Sequence, residues 1–412
     1  MDTQKTTSTG PESQGHSPVY PWLVAGFGLL ALLVSNGFTI TGVTAFDNVL
    51  LAEFGWERSE YKVRDFLTLM FAGLFAPIAG VFLDRYGVRK CMLVGWAVLI
   101  ASQLTYAFAD SLMMMYALHV LFAVVLVLCG LNASVIVVSN WFVDNRGKAI
   151  GLVLVGTSLG GAMVSQFNTS LIELIGWRST FQAGAVFPVI LLLLTWLWLR
   201  DAPDEAPPAP ARQDTGAAPA DEGMAYSEAI RTASFWMLSL IAMATFFTVL
   251  GVQQNMLLHL TDMGYSAQGA TFVFGLFFWG AIVGKFLFGL LSDYLKLRMV
   301  FNLNIVVMLA GMLMLASMSE TLLYIAVVAF GFGWGGAYTM IQLSVVNIFG
   351  LVNAGKILGT ITVLDALGGA IGIYAVARMQ EVFGSYQIPF YLCAGLIFFA
   401  LLCFTQVRFR TQ

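Results

Sequence analysis

GVFLDRYGVRK, at Gly80–Lys90, returns in changed form as GLLSDYLKLR at Gly289–Arg298, which places Asp84 and Asp293 209 residues apart. A second pair keeps nearly the same offset: NRGKAIG at Asn145–Gly151 and NAGKILG at Asn353–Gly359, 208 residues on. Two unrelated short patterns sharing one period divide this 412-residue chain into two similar halves of about 200 residues.

Composition sets the solvent of those halves. The chain is 59% hydrophobic and 10% charged, with a mean hydropathy of +0.82, where a soluble domain carries roughly 25% charged residues. So few charges cannot cover a water-exposed surface of this size, so most of it faces a lipid bilayer. The net charge of −3 is uninformative, and no basic face exists for nucleic acid. Cys91, Cys129, Cys393 and Cys403 are scattered in apolar surroundings without CxxC spacing, and read as small buried hydrophobes. The first 18 residues are polar and lack an apolar core, so no cleaved signal peptide is expected.

A bilayer crossing needs about 20 apolar residues. Twelve stretches qualify: 20–46, 65–84, 90–109, 112–140, 147–174, 180–200, 233–260, 267–292, 298–317, 321–349, 355–383 and 387–406. Backbone polar groups in lipid must be satisfied within the segment, so these are helices. Alternating patterning is absent, which excludes a barrel. Residues 201–223, DAPDEAPPAPARQDTGAAPADEG, hold five of the eleven prolines and read as a disordered linker. The predicted organisation is a tail (1–19), a six-helix bundle (20–200), a linker (201–232), a second bundle (233–406) and a short tail (407–412).

Lys and Arg predict the orientation. With the N-terminus inside, one side holds 14 of the 20, among them Lys5, Arg85, Arg89, Lys90, Arg146, Lys148, Arg212, Lys356, Arg408 and Arg410. The other side holds five: Arg58, Lys62, Arg64, Arg178 and Arg378. Lys285 is left over inside a helix. That bias predicts cytoplasmic termini, in a cell (inner) membrane.

The loop GVFLDRYGVRK resembles the G-x-x-x-D-R-x-G-x-R-K signature of the major facilitator superfamily. Gly80 leaves room for a neighbouring helix, Gly87 permits a tight turn, and Asp84 can bond helix-terminal N–H groups or the nearby Arg85, Arg89 and Lys90. The second copy keeps Gly289 and Asp293 but has Leu295 and Lys296 where the first has Tyr86 and Gly87. The resemblance implies an all-α integral membrane fold of twelve helices in two pseudo-symmetric bundles. SNWFVDNRGKAIGL at the end of helix four, and GFGWGGAYTMIQLSVVNIFG in helix ten, resemble the monocarboxylate and oxalate–formate branch. That branch carries a Gly-Arg pair in helix eight, whose arginine anchors a substrate carboxylate. Here the pair is Gly284–Lys285. GTSLGG at Gly156–Gly161 lacks the proline of drug antiporters, and helix four lacks their arginine.

Lys285 lies in FFWGAIVGKFLFGLLSD, eight residues before Asp293, or about 12 Å along the axis. A lysine that deep costs several kcal/mol unless paired or facing a wet cavity. It reads as an anchor for an anionic substrate, against the blander reading of snorkelling toward headgroups. Asp365, in ITVLDALGGAIG, is the one acid deep inside the second half's helices. The resemblance places helices eight and eleven near one another, so Lys285 and Asp365 are expected to form a proton-sensitive couple. Two departures stand out: the partner acid of animal carriers falls on Ala281, and their helix-one lysine on Thr44. Subtracting the period takes Lys285 to Ala76 and Asp365 to Thr157 or Gly156, so neither charge has a mate in the first half.

Among uncharged groups, Asn36, Asn132, Gln253, Tyr338 and Gln342 fall at membrane depth and are candidates for substrate contact; Gln166, Asn168 and Asn255 are similar. Each could equally bond between helices. Tyr338 leads, because a helix-ten aromatic closes over substrate in the resembling branch. Asp47 reads as a solvated cap, Asp65 as an acid suiting the start of helix two, His259 as a loop brace and Lys356 as a gating residue. Gly160–Gly161, Gly335–Gly336 and Gly368–Gly369 read as close helix contacts. No nucleotide loop, zinc spacing or nucleophile–base motif appears, so neither an enzyme nor a cofactor is expected. The expectation is a monomeric secondary transporter of a small organic anion, a monocarboxylate or related acid, moved with protons by alternating access. The alternatives are export of a neutral or cationic metabolite, anion exchange, and a non-transporting sensor of the same fold.

Overall fold

Eleven apolar helical spans, and no strand, make up the protein among the residues that the computed structural model describes: 19–142, 145–202, 223–350 and 353–407. The longest span, Arg146–Leu197, runs 52 residues, or about 78 Å at 1.5 Å per residue against a hydrocarbon core of about 30 Å. It turns at Gly176, where φ is +77° and ψ 161°, and so counts as two crossings. The twelve helices are α1 (Tyr20–Phe54), α2 (Arg58–Tyr86), α3 (Val88–Tyr106), α4 (Leu112–Trp141), α5 (146–175), α6 (177–197), α7 (Ala233–Asp262), α8 (Ala267–Tyr294), α9 (Leu297–Ala316), α10 (Glu320–Phe349), α11 (Ala354–Phe383) and α12 (Gln387–Thr405).

Local chemistry marks several ends. Thr232 and Ser266 accept from the amides of Phe235 and Gly269, at 3.2 and 3.1 Å, which caps α7 and α8. Gly55 and Gly384 end α1 and α11 with left-handed φ of +69° and +67°, where a Cβ would strain the chain. Buried apolar side chains form two clusters, one from α1–α6 and one from α7–α12 joined by Ala162 of α5. The result is two six-helix bundles.

Two spans differ from expectation in ways that matter. α2 starts at Arg58, seven residues before the predicted 65, so Lys62, Arg64 and Asp65 lie inside a helix rather than in an outer loop. α1 continues to Phe54 through a π-type turn at Gly37–Thr41 and a tight 3₁₀ stretch at Gly42–Phe46. Such breaks strand backbone carbonyls, and α5 supplies the donors: Ser165 Oγ to Thr41 O at 3.2 Å and Asn168 Nδ2 to Gly42 O at 2.9 Å. Of the expected linker, residues 203–222 lie outside the described residues, as do Lys5, Arg212, Arg408, Arg410 and the tails beyond 19 and 407. The linker's ends are ordered. Asp201 binds the start of α3, and Met224 N donates to Phe349 O at 2.9 Å.

α8 and α10 interlock through four glycines. A Cβ at Gly280 or Gly284 would run into the carbonyls of Val328 and Phe332, and one at Gly331 or Gly335 into those of Phe277 and Ala281. Small residues four apart on both helices let the backbones touch. This contact fixes the rotation of α8 and therefore the direction of Lys285. Gly335→Val is expected to cost about 1–3 kcal/mol, read as a lower midpoint of thermal unfolding; an unchanged midpoint would mean that the helices separate freely.

Candidate functional site

Two of the expected site residues, Lys285 and Asp365, lie at seams where one bundle meets the other. Lys285, half-buried on α8, crosses to α5: its Nζ donates to Thr157 Oγ1 and Ser158 Oγ, both at 2.9 Å, and to Leu154 O at 3.2 Å. Among the described residues no carboxylate forms an ion pair with it, so the expected Lys285–Asp365 couple is not made. The reason is geometric. Lys285 faces the α5–α8 seam, whereas Asp365 lies beside the α2–α11 seam, its neighbour Ala366 meeting the face of Gly73. Asp365 is 6% exposed. Tyr338 and Gln342 stand one turn apart on α10. Phe246 flanks this group, 4.8 Å from the Trp334 ring and 6.2 Å from Tyr338 between centroids.

The remaining polar candidates scatter. Gln253 is buried in α7, but its neighbour Gln254 is the one that crosses, donating to Ile40 O at 3.1 Å. Asn36 is half-buried at the α1 break, and Asn132 is exposed just after Gly130. Asn255 donates to Gly251 O and Ile373 O, tying α7 to α11. His259 packs its ring 5.3 Å from Tyr386 and 5.0 Å from Phe390.

A buried charge cluster, missed as a unit by sequence reasoning, joins α1, α2, α3 and α4. Asp47, read as a solvated cap, is 0% exposed. Lys62 Nζ reaches it at 2.5 Å, and an Arg64 NH2 group bonds its other oxygen. Asp65 takes Lys62 at 3.2 Å and Arg64 Nε at 3.4 Å. Arg64 also donates to Tyr106 OH at 3.0 Å and stacks 3.9 Å over the Tyr61 ring. His119 closes the network with Thr68 Oγ1 at 2.8 Å and Tyr106 OH at 3.3 Å. Two cations meet two carboxylates, so the cluster is neutral. His119 alone in the apolar run of helix four was the available signal, since a polar group there demands a partner.

Directly above the cluster the bundles are latched. Arg58 pairs in bidentate fashion with Asp262 at 2.6 and 2.7 Å, Ser59 binds Glu381 through N and Oγ at 2.5 and 2.7 Å, and Asn48 donates to Thr261 at 2.8 Å. On the other seam Gln268 donates to Glu173 at 2.7 Å. These contacts lie at the end away from the termini. The latch therefore holds the bundles together at the end away from the termini. With the latch gone, spin labels at positions 176 and 264 should show a broader, longer distance distribution in Arg58→Ala than in the parent chain. Identical distributions would show that the Arg58 pair contributes nothing to closure.

The loop after α2 departs from its expected roles. Gly80 has no close neighbour, and Asp84 and Asp293 are exposed and bond no described residue. The acid at the start of α3 is instead Asp201, whose Oδ1 accepts from Arg89 N at 2.6 Å. Its carboxylate also occupies the space a Cβ at Gly87 would need, where φ is +83°. Arg89 reaches back to Thr195 O at 3.2 Å and Trp196 O at 2.5 Å. Arg85 lies over Tyr86, while Lys90 and Lys356 are exposed.

The family model described as Major Facilitator Superfamily matches residues 27–373 and 256–411. The chain belongs to that superfamily. It is a transporter rather than an enzyme. Major-facilitator relatives include the gallate transporter of Pseudomonas putida, 24% identical over 78% of this chain and 77% of that one. The oxalate:formate antiporter of Oxalobacter formigenes is 26% identical, over 81% and 79%. Monocarboxylate transporter 1 of Mus musculus is 21% identical, over 90% and 82%. Among solved structures, a bacterial homologue of the human lysosomal transporter Spinster superposes with a TM-score of 0.72 at 17% identity, covering 97% of this chain and 100% of that one. That match shows the major-facilitator fold itself.

Proposed function

We propose that this major-facilitator protein is a secondary transporter of a small organic anion, a monocarboxylate or related carboxylic acid, carried with protons. The observation that carries the reading is the charge of Lys285. Lys62 and Arg64 are buried but neutralised by Asp47 and Asp65. Lys285 meets only neutral oxygens, so one positive charge remains uncompensated at a seam between the moving halves. The relatives named for gallate, oxalate and formate, and monocarboxylates all handle carboxylates. One such cation suits one carboxylate better than two.

Asp365 serves in this reading as the proton acceptor. It is buried without an ion partner among the described residues. A carboxyl in that position exchanges a proton in place of a counter-ion. Gln253, Asn36 and Asn132 are further candidates for contact with the substrate. Alternation between this state and its opposite moves the site from one side to the other in a single protomer.

The reading is tested by thermal-shift measurements on the purified chain with a panel of carboxylic, neutral and basic compounds at two pH values. Stabilisation by carboxylic acids supports it, and stabilisation by neutral or basic compounds alone overturns it. Asp365→Asn should abolish pH-dependent uptake in proteoliposomes while preserving carboxylate binding. Full pH-driven uptake in that variant would remove Asp365 from the mechanism.

A further inference from the structure

We propose that Thr157 and Ser158 are the resting ligands of Lys285, and that the transported carboxylate binds by displacing them, which loosens the α5–α8 seam at the cradle. This rests on the anion reading above and adds to it a competitor and a mechanical consequence.

An ammonium has three donors, and all three of Lys285 are engaged on one turn of α5: Leu154 O at 3.2 Å, Thr157 Oγ1 at 2.9 Å and Ser158 Oγ at 2.9 Å. Thr157 spends its own proton on Leu154 O at 2.8 Å, so toward Lys285 it can only accept. Ser158 is 4% exposed. The arrangement is a saturated, preformed cradle for the ammonium, built entirely on the opposite bundle. An anion therefore has no unused donor to bind and must take one from α5. Its carboxylate can win that exchange, because it adds the attraction of opposite charges to the hydrogen bond, which a neutral hydroxyl cannot.

The consequence follows from where the cradle lies. It lies on the terminus side of the other cross-bundle bonds, such as Gln268–Glu173 and Arg58–Asp262, which gather at the latched end. The repeat makes the device one-sided. Thr157 is the counterpart of Asp365 at an offset of 208, while the counterpart of Lys285 on α2 falls at Ala76 or Pro77, which carry no polar side chain. At the depth of Lys285 the α5–α8 seam is bonded, whereas the bonds of the α2–α11 seam, from Ser59 to Glu381, lie at the latched end. Occupying Lys285 with substrate releases α5 from α8 at that depth, while Gln268–Glu173 still joins them at the latched end.

The test uses the full-length chain, purified in detergent, with Thr157→Val, Ser158→Ala, their double variant and Lys285→Met. Calorimetric titration with gallate, oxalate, formate and lactate identifies an acid that the parent binds. The double variant should bind it about tenfold tighter, each single variant about threefold, because a competitor for the ammonium is gone. Lys285→Met should lose the binding. Without ligand, amide exchange across residues 150–160 should rise several-fold in both the double variant and Lys285→Met, a readout independent of substrate. Equal or weaker affinity in the double variant, with binding still lost in Lys285→Met, overturns the displacement while leaving the anion reading intact. Binding unaffected by Lys285→Met, or none of the four acids binding the parent, overturns the anion reading and the displacement with it.

Discussion

Asp47→Asn is expected to lower the stability of the protein by about 3–5 kcal/mol, the cost of removing one partner from a buried ionic network. The carboxylate is 0% exposed and receives both Lys62 and Arg64. Asparagine fits the space but leaves two buried cations facing Asp65 alone, one carboxylate for two charges. Water cannot enter to compensate, because Lys62, Arg64 and Tyr61 are also fully buried. Unfolding of the purified chain by heat or denaturing detergent measures the loss. A companion variant separates charge from shape: adding Lys62→Met to Asp47→Asn restores one cation to one anion and should recover part of the stability. An Asp47→Asn protein as stable as the parent would show that the network is not held as an ionic unit. The cluster also anchors Asn48, Arg58 and Ser59, so the same variant should loosen the latch to Thr261, Asp262 and Glu381.

Lys285→Ala is expected to weaken binding of the transported acid by about 2–5 kcal/mol, roughly 30- to 4,000-fold in Kd, and to reduce uptake below detection at ordinary concentrations. Truncation removes the charge and all three donors together, and no other cation at that depth stands uncompensated among the described residues. Lys285→Arg keeps the charge but replaces a point donor with a planar fork. It should retain binding while altering preference among acids of different shape. Proteoliposome uptake for each variant checks both expectations. Undiminished carboxylate uptake in Lys285→Ala would remove this residue from the site.

Several of these residues are legible as special from the amino-acid sequence. Lys285 and Asp365 stand out because charge in an apolar helix is costly, and Tyr338 and Gln342 because polar groups at depth need partners. Their partners are not legible in the same way. Sequence pairs Lys285 with Asp365, yet it meets Thr157 and Ser158, since the glycine interlock of α8 with α10 turns it toward α5. Asp47 reads as solvated when helix one is taken to end at 46, whereas a break and a further two turns carry the acid inward. Asp84 reads as the cap of a helix end that Asp201 occupies, a residue 117 positions along the chain.

The amino-acid sequence alone determined the two-fold repeat, the twelve membrane helices and the superfamily. The crossings follow from local composition and length, because a bilayer demands a long apolar helix wherever the chain crosses it, and the repeat and the superfamily follow from short motifs. Tertiary structure decided which charges neutralise one another, which cation is left over, and which seam it spans. Those outcomes depend on helix rotation, on breaks such as the turn at Gly37–Thr41, and on backbone approach at Gly331 and Gly335. An angle of a few tens of degrees about a helix axis redirects a lysine from one seam to another, and no one-dimensional pattern encodes that angle.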